Sequence, residues 1–130
     1  MSGTIFVNLP VADLEASKKF YSNIGFDNVP AYSDENAAGM RYSDTIFVML
    51  LTTEFFSTFT NRPVGDINSP ISSIYCLTCE STDAVDKIYE AAVANGAIKG
   101  KEIPDMGMYV RTFSDLDGHA WEILHMPEPQ

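Results

Sequence analysis

A chain of 130 residues, 45% hydrophobic and 20% charged, is long enough for one domain to bury about two-thirds of its unfolded surface, and its composition excludes disorder. Eight basic against eighteen acidic residues leave a net charge of −10, and no basic run exceeds Lys18-Lys19. Nucleic acid and anionic membrane surfaces are therefore excluded as expected partners, since both demand clustered cations. No stretch approaches the ~18–20 apolar residues of a membrane span, and Met1-Ser2-Gly3-Thr4 does not read as the start of a signal peptide. Cys76 and Cys79 stand three apart on a predicted strand, on opposite faces, so no disulfide is expected between them. They read as small buried hydrophobes in a reducing, cytoplasmic protein.

The first predicted strand is Thr4 to Val11, with Ile5, Val7, Leu9 and Val11 on one face and Phe6, Asn8 and Pro10 on the other. Pro10 has no amide hydrogen, which places it at a strand end or edge. Asp13 is a predicted N-cap, followed by Leu14, Ser17, Phe20, Tyr21 and Ile24 at helical spacing until Gly25. Strands are predicted over about 26–32, about 38–43 and Thr45 to Thr52. Residues 60–70 carry two prolines, a glycine and polar residues, and read as a linker. Phe55, Phe56 and Phe59 before it stand at helical spacing, as core or a dimer contact.

The order then repeats. Ile71 to Cys79 reads as a strand, and Ser81 or Thr82 caps a helix that ends at Asn95-Gly96. Strands follow near 98–103, 107–114 and 119–126. The pattern predicts an α+β protein of two βαβββ modules, about 1–59 and about 71–130, in one domain spanning 1–130. Each module buries little core alone. A curved mixed sheet around a cup, with helices outside, solves that.

Two phrases carry a family resemblance. Val7-Asn8-Leu9-Pro10-Val11-Ala12-Asp13-Leu14 with Ser17, Phe20-Tyr21 and Ile24-Gly25-Phe26 is similar to the opening of the vicinal-oxygen-chelate (VOC) superfamily, the glyoxalase, bleomycin-resistance and dioxygenase fold. Phe113-Ser114-Asp115-Leu116-Asp117-Gly118 through Glu122 resembles the hairpin before that fold's last strand. The segment Ile46 to Thr52, with Phe55, Phe59 and Thr60, also resembles a branch often labelled predicted lactoylglutathione lyase. In metal-using members one ligand comes from each of four strands, and the ion stabilises an enediolate or activates dioxygen.

The resemblance puts those four positions at Phe6, Met49, Ile74 and Glu122. Phe and Ile have no lone pair to donate, and a thioether binds hard divalent ions poorly, so no metal and no other cofactor is expected. The implied cup holds Phe6, Asn8, Phe47, Met49, Leu51, Ile74, Cys76, Glu122 and Leu124, with Arg41, Tyr42, Tyr109 and Arg111 on strands beside it. An arginine there could grip a carboxylate, or serve a structural ion pair. His119 reads as a solvated turn residue, and His125 as facing away from Glu122.

The expected function is binding of a small, partly apolar molecule by a homodimer with a degenerate metal site. The alternative is glyoxalase, lactoylglutathione lyase or dioxygenase-type chemistry without metal, with Glu122 as general base.

Overall fold

The computed structural model describes residues 3–104 and 107–127. The chain divides into two compact units, Met1–Asn68 and Ser69–Gln130, with the boundary inside the predicted linker.

In the first unit, β1 (Ile5–Val11) leads through Ala12-Asp13 into α1 (Leu14–Asn23). Asp13 caps that helix, its carboxylate accepting from the Ala16 amide at 3.0 Å. Gly25, at φ 113°, turns the chain out of the helix in a conformation that other residues rarely adopt. β2 (Asp27–Val29) is short because Pro30 removes a ladder donor and fixes φ, so Pro30–Tyr32 forms a 3-10 turn instead of continuing the predicted strand. β3 (Ala37–Ser43) and β4 (Ile46–Thr52) complete a sheet of order β1-β4-β3-β2. β1 runs parallel to β4 at the sheet's edge, which is where Pro10 is tolerated. A short helix, α2 (Thr53–Ser57), follows directly, with Thr52 as its cap.

Leu9, Val11, Met40, Val48 and Leu50 are all buried, as are Ser17, Phe20 and Tyr21 on α1. The alternation that separates this helix-backed face from the other was readable from residues 5–11. Each fully buried Leu or Val on it contributes roughly 1.5–3 kcal/mol.

The second unit repeats the plan: β5 (Ile74–Thr78), α3 (Thr82–Ala94), β6 (Ile98–Lys99), β7 (Tyr109–Ser114) and β8 (Ala120–His125). Its sheet order is β5-β8-β7-β6, with β5 parallel to β8. Ser81 caps α3, its hydroxyl accepting from the Ala84 amide at 3.0 Å. β5 is shorter than the predicted 71–79, although the Cys79 amide still donates to the Leu124 carbonyl at 2.7 Å. β6 keeps only two residues of the predicted 98–103, and one further bond, Gly100 amide to Thr112 carbonyl at 3.0 Å, extends its pairing. Residues 105–106, between the predicted strands 98–103 and 107–114, lie outside the described residues.

The α+β class and the two βαβββ modules are therefore present, hydrogen-bonded as two four-stranded mixed sheets. Among the described residues no helix is long and apolar enough to cross a membrane.

Candidate functional site

In each unit the helix covers one sheet face and leaves the other uncovered by it. The strand registers show which side chains share that second face. In the first unit Phe6 pairs with Phe47 and Asn8 with Met49, while Arg41 and Gly39 stand opposite Phe47 and Met49 on β3. In the second, Ile74 pairs with Ala120, Cys76 with Glu122, and Thr112 stands opposite Glu122 on β7.

The two faces are equivalent position by position. Phe6 and Ile74 each precede their helix cap, Asp13 and Ser81, by seven residues. Asn8 then corresponds to Cys76, Met49 to Glu122 and Gly39 to Thr112.

On the first unit this face is aromatic. Phe6 and Phe47 stack with centroids 4.7 Å apart and planes 11° from parallel. Tyr32 meets both edge-on, at 5.8 and 6.0 Å. Tyr32 was not among the residues expected here; the Pro30-Ala31-Tyr32 turn carries it over the sheet. A Cβ on Gly39 would lie 2.6 Å from the Tyr32 Cβ, so only glycine admits that approach. Ser33 anchors the turn: its hydroxyl donates to the Val29 carbonyl at 2.7 Å and accepts from the Gly39 amide at 3.1 Å and from Asn28 Nδ2 at 3.2 Å. Arg41 shares the face, and its guanidinium is engaged by Asp44.

On the second unit the face is polar. Glu122 is half-buried between Cys76 and Thr112. Neither cysteine is in a disulfide; Cys76 is exposed and Cys79 half-buried. The reading of both cysteines as buried hydrophobes is therefore corrected: Cys76 stands on the sheet face that the helix does not cover, and Cys79 lies just past the end of β5. Although Cys76 keeps contact with solvent, partial burial of its thiol pushes its pKa up, and the neighbouring Glu122 carboxylate adds to the shift. Leu124, on the same face, is buried.

Arg111 does not share this face. It pairs in register with Ile123, on the helix-backed side. There its Nη2 donates to the Tyr109 hydroxyl at 2.6 Å, its guanidinium carbon lies 4.1 Å from the Tyr109 ring centroid, and its Nε stands 3.8 Å from Asp86. Tyr109 donates to Asp86 on α3 at 2.7 Å. That bond is the main cause of a raised tyrosine pKa, with burial next and Arg111 opposing. The expectation of Arg111 beside the ligand is thus corrected: odd-numbered residues of β7 face α3, and the arginine ties helix to strand.

The turn between β7 and β8 is built on a residue the sequence reading left without a role. Asp115 is buried, and its carboxylate accepts from the Asp117 and His119 amides, each at 2.9 Å. Its place at the head of an Asp-x-Asp-Gly turn was the available signal. His125 Nδ1 lies 2.9 Å from the Cys79 carbonyl, away from Glu122.

A model of the Glyoxalase/Bleomycin resistance protein/Dioxygenase superfamily matches residues 5–123. The chain belongs to this superfamily. Solved structures agree. The hypothetical protein SA1046 from S. aureus is similar at a TM-score of 0.80 and 25% identity, over 96% of this chain and 94% of that one. A glyoxalase/bleomycin resistance protein from Albidiferax ferrireducens T118 is similar at 0.73 and 26%, over 94% and 97%. The genomically encoded fosfomycin resistance protein FosX from Listeria monocytogenes, at 0.70 and 19% over 96% and 93%, shares the fold. No curated protein matches the chain.

Members of the superfamily that use a divalent ion need several imidazole or carboxylate donors converging on it. Among the described residues no three of His, Cys, Asp or Glu come together in such a group. In the first unit the open face offers Phe6, Asn8, Phe47 and Met49, which do not fit a hard cation.

Proposed function

We propose that this VOC-superfamily chain binds a small, partly apolar molecule without a metal, its ancestral ion site having lost all ligands but one. The observation that carries this reading is the equivalence of the two open faces. The positions that the family resemblance assigns to metal ligands, Phe6, Met49, Ile74 and Glu122, are two pairs of equivalent positions, and only Glu122 is a donor for a hard ion. A single carboxylate does not hold a divalent ion against water. Apolar side chains in the other three places suit an apolar ligand, and on the first unit's open face Asn8 supplies a polar contact. The proposal extends to a homodimer, supported by exposed Phe59 and Ile71, and to a cytoplasmic setting, supported by two cysteines that form no disulfide.

The test is a thermal-shift panel of small apolar and aromatic compounds, run with and without Mn²⁺, Ni²⁺ and Zn²⁺, beside a hemithioacetal isomerisation assay. Metal-indifferent stabilisation by a panel member, with no turnover, is the expected result. A metal-dependent turnover at ordinary rates would overturn it. Turnover that ignores metal and disappears in Glu122→Gln would assign the carboxylate as a general base instead.

A further inference from the structure

The aromatic cluster of the first unit is asymmetric in a way that points to a ligand shape. Phe47 is 9% exposed, whereas Phe6, stacked on it, is 42% exposed. Among the described residues β1 is the edge strand of its sheet, beside β4, so the ring of Phe6 has one face against Phe47 and the other turned away from β4. Tyr32, itself 46% exposed, closes the side of the pair without covering that second face, since its centroid is almost equally far from both stacked rings, 5.8 and 6.0 Å. The platform is held in place from below. Gly39 admits Tyr32 close to the strand, and Ser33 fixes the turn that carries it.

We infer that the outer face of Phe6 is a stacking site for an uncharged planar aromatic ring, which continues the Phe47–Phe6 stack by one layer. This rests on the small-molecule reading above and narrows it to a ligand class. Stacked aromatic pairs gain affinity beyond their buried area, so a flat ring is preferred to a saturated ring of the same size. Asn8 lies two residues along on the same face and is exposed, which places a carboxamide donor and acceptor beside the ring's substituents. The net charge of −10 disfavours an anionic ring.

The experiment compares 2-naphthol with its saturated counterpart, decahydro-2-naphthol, by ligand-observed NMR titration of the full chain. The saturated compound is the more hydrophobic, so area burial alone would favour it. Stacking predicts the reverse, a Kd about tenfold lower for 2-naphthol, with its ring protons shifted upfield by the Phe6 ring current. Phe6→Leu, which keeps apolar bulk, should abolish both the preference and the shift, and Phe6→Tyr should retain them. An unchanged thermal midpoint for the unliganded variants checks that the fold survives. Equal or tighter binding of the saturated compound overturns the stacking site while leaving small-molecule binding intact. No binding of either up to about 1 mM overturns the stacking site as well, and the broader reading fails only if the whole panel also fails.

Discussion

The two units share a frame and differ in what they mount on it. In both, a strand enters a capped helix seven residues after the same open-face position, and the sheet order and register match. Yet the first unit's open face is a stacked aromatic platform, while the second's holds Glu122, Cys76 and Thr112. The glycines show how the difference arises. Gly39 on β3 makes room for Tyr32 from the segment after β2. In the second unit the small residue is on the other partner: Gly100 follows β6 and lies under Thr112, whose hydroxyl donates to the Lys101 carbonyl at 2.6 Å. One frame thus carries an apolar surface and a polar one, decided by a handful of open-face residues.

If the frame is truly shared, its core should respond alike in both units. Leu9 and Leu77 each stand four residues before the helix cap, and both are buried. Leu9→Ala and Leu77→Ala should each cost about 2–5 kcal/mol in chemical denaturation. A large loss for one and none for the other would break the equivalence.

The hairpins should respond unequally. Asp115→Ala strips two amides of a buried carboxylate partner and should destabilise by about 2–3 kcal/mol. Ser43→Ala, in the shorter turn of the first unit, removes one long bond of 3.4 Å to the Thr45 amide and should cost under ~1 kcal/mol. Similar losses for the two would show that Asp115 has no special role.

Gly39→Ala sharpens the aromatic side of the comparison. The new methyl must displace Tyr32, for a loss of about 1–3 kcal/mol. If stability and near-UV circular dichroism stay as in the wild type, Tyr32 is not held as the geometry implies.

The smallest effect belongs to the polar face. Cys76 should be alkylated by iodoacetamide with a pH midpoint above that of a free thiol, read by peptide mass spectrometry. Glu122→Gln should lower the midpoint only in part, since burial is the larger cause. The thiol is harder to deprotonate folded than unfolded. Its contribution to stability is therefore present below the free thiol's pKa and is lost as pH rises through the folded value. A midpoint insensitive to Glu122→Gln would separate the two side chains that the register puts together.

Much of the frame was legible along the chain because it rests on local rules. Alternation over residues 5–11, the Asp13 and Ser81 caps, the Gly25 stop and the linker near Asn68 are each decided by neighbours a few residues away. The family phrases at either end lie in those same local features. Tertiary structure decided what depends on partners far apart in sequence. Tyr32 belongs with Phe6 and Phe47 only because a turn after β2 crosses the sheet at Gly39. Arg111 belongs to Asp86 because residues alternate between faces along β7 and its register partner, Ile123, lies on the side that packs against α3. Cys76 stands on the Glu122 face that alternation gave it, but its exposure there depends on what covers that face, which alternation does not say. Periodicity determines that a strand has two faces, but only packing against a helix decides which of them is buried.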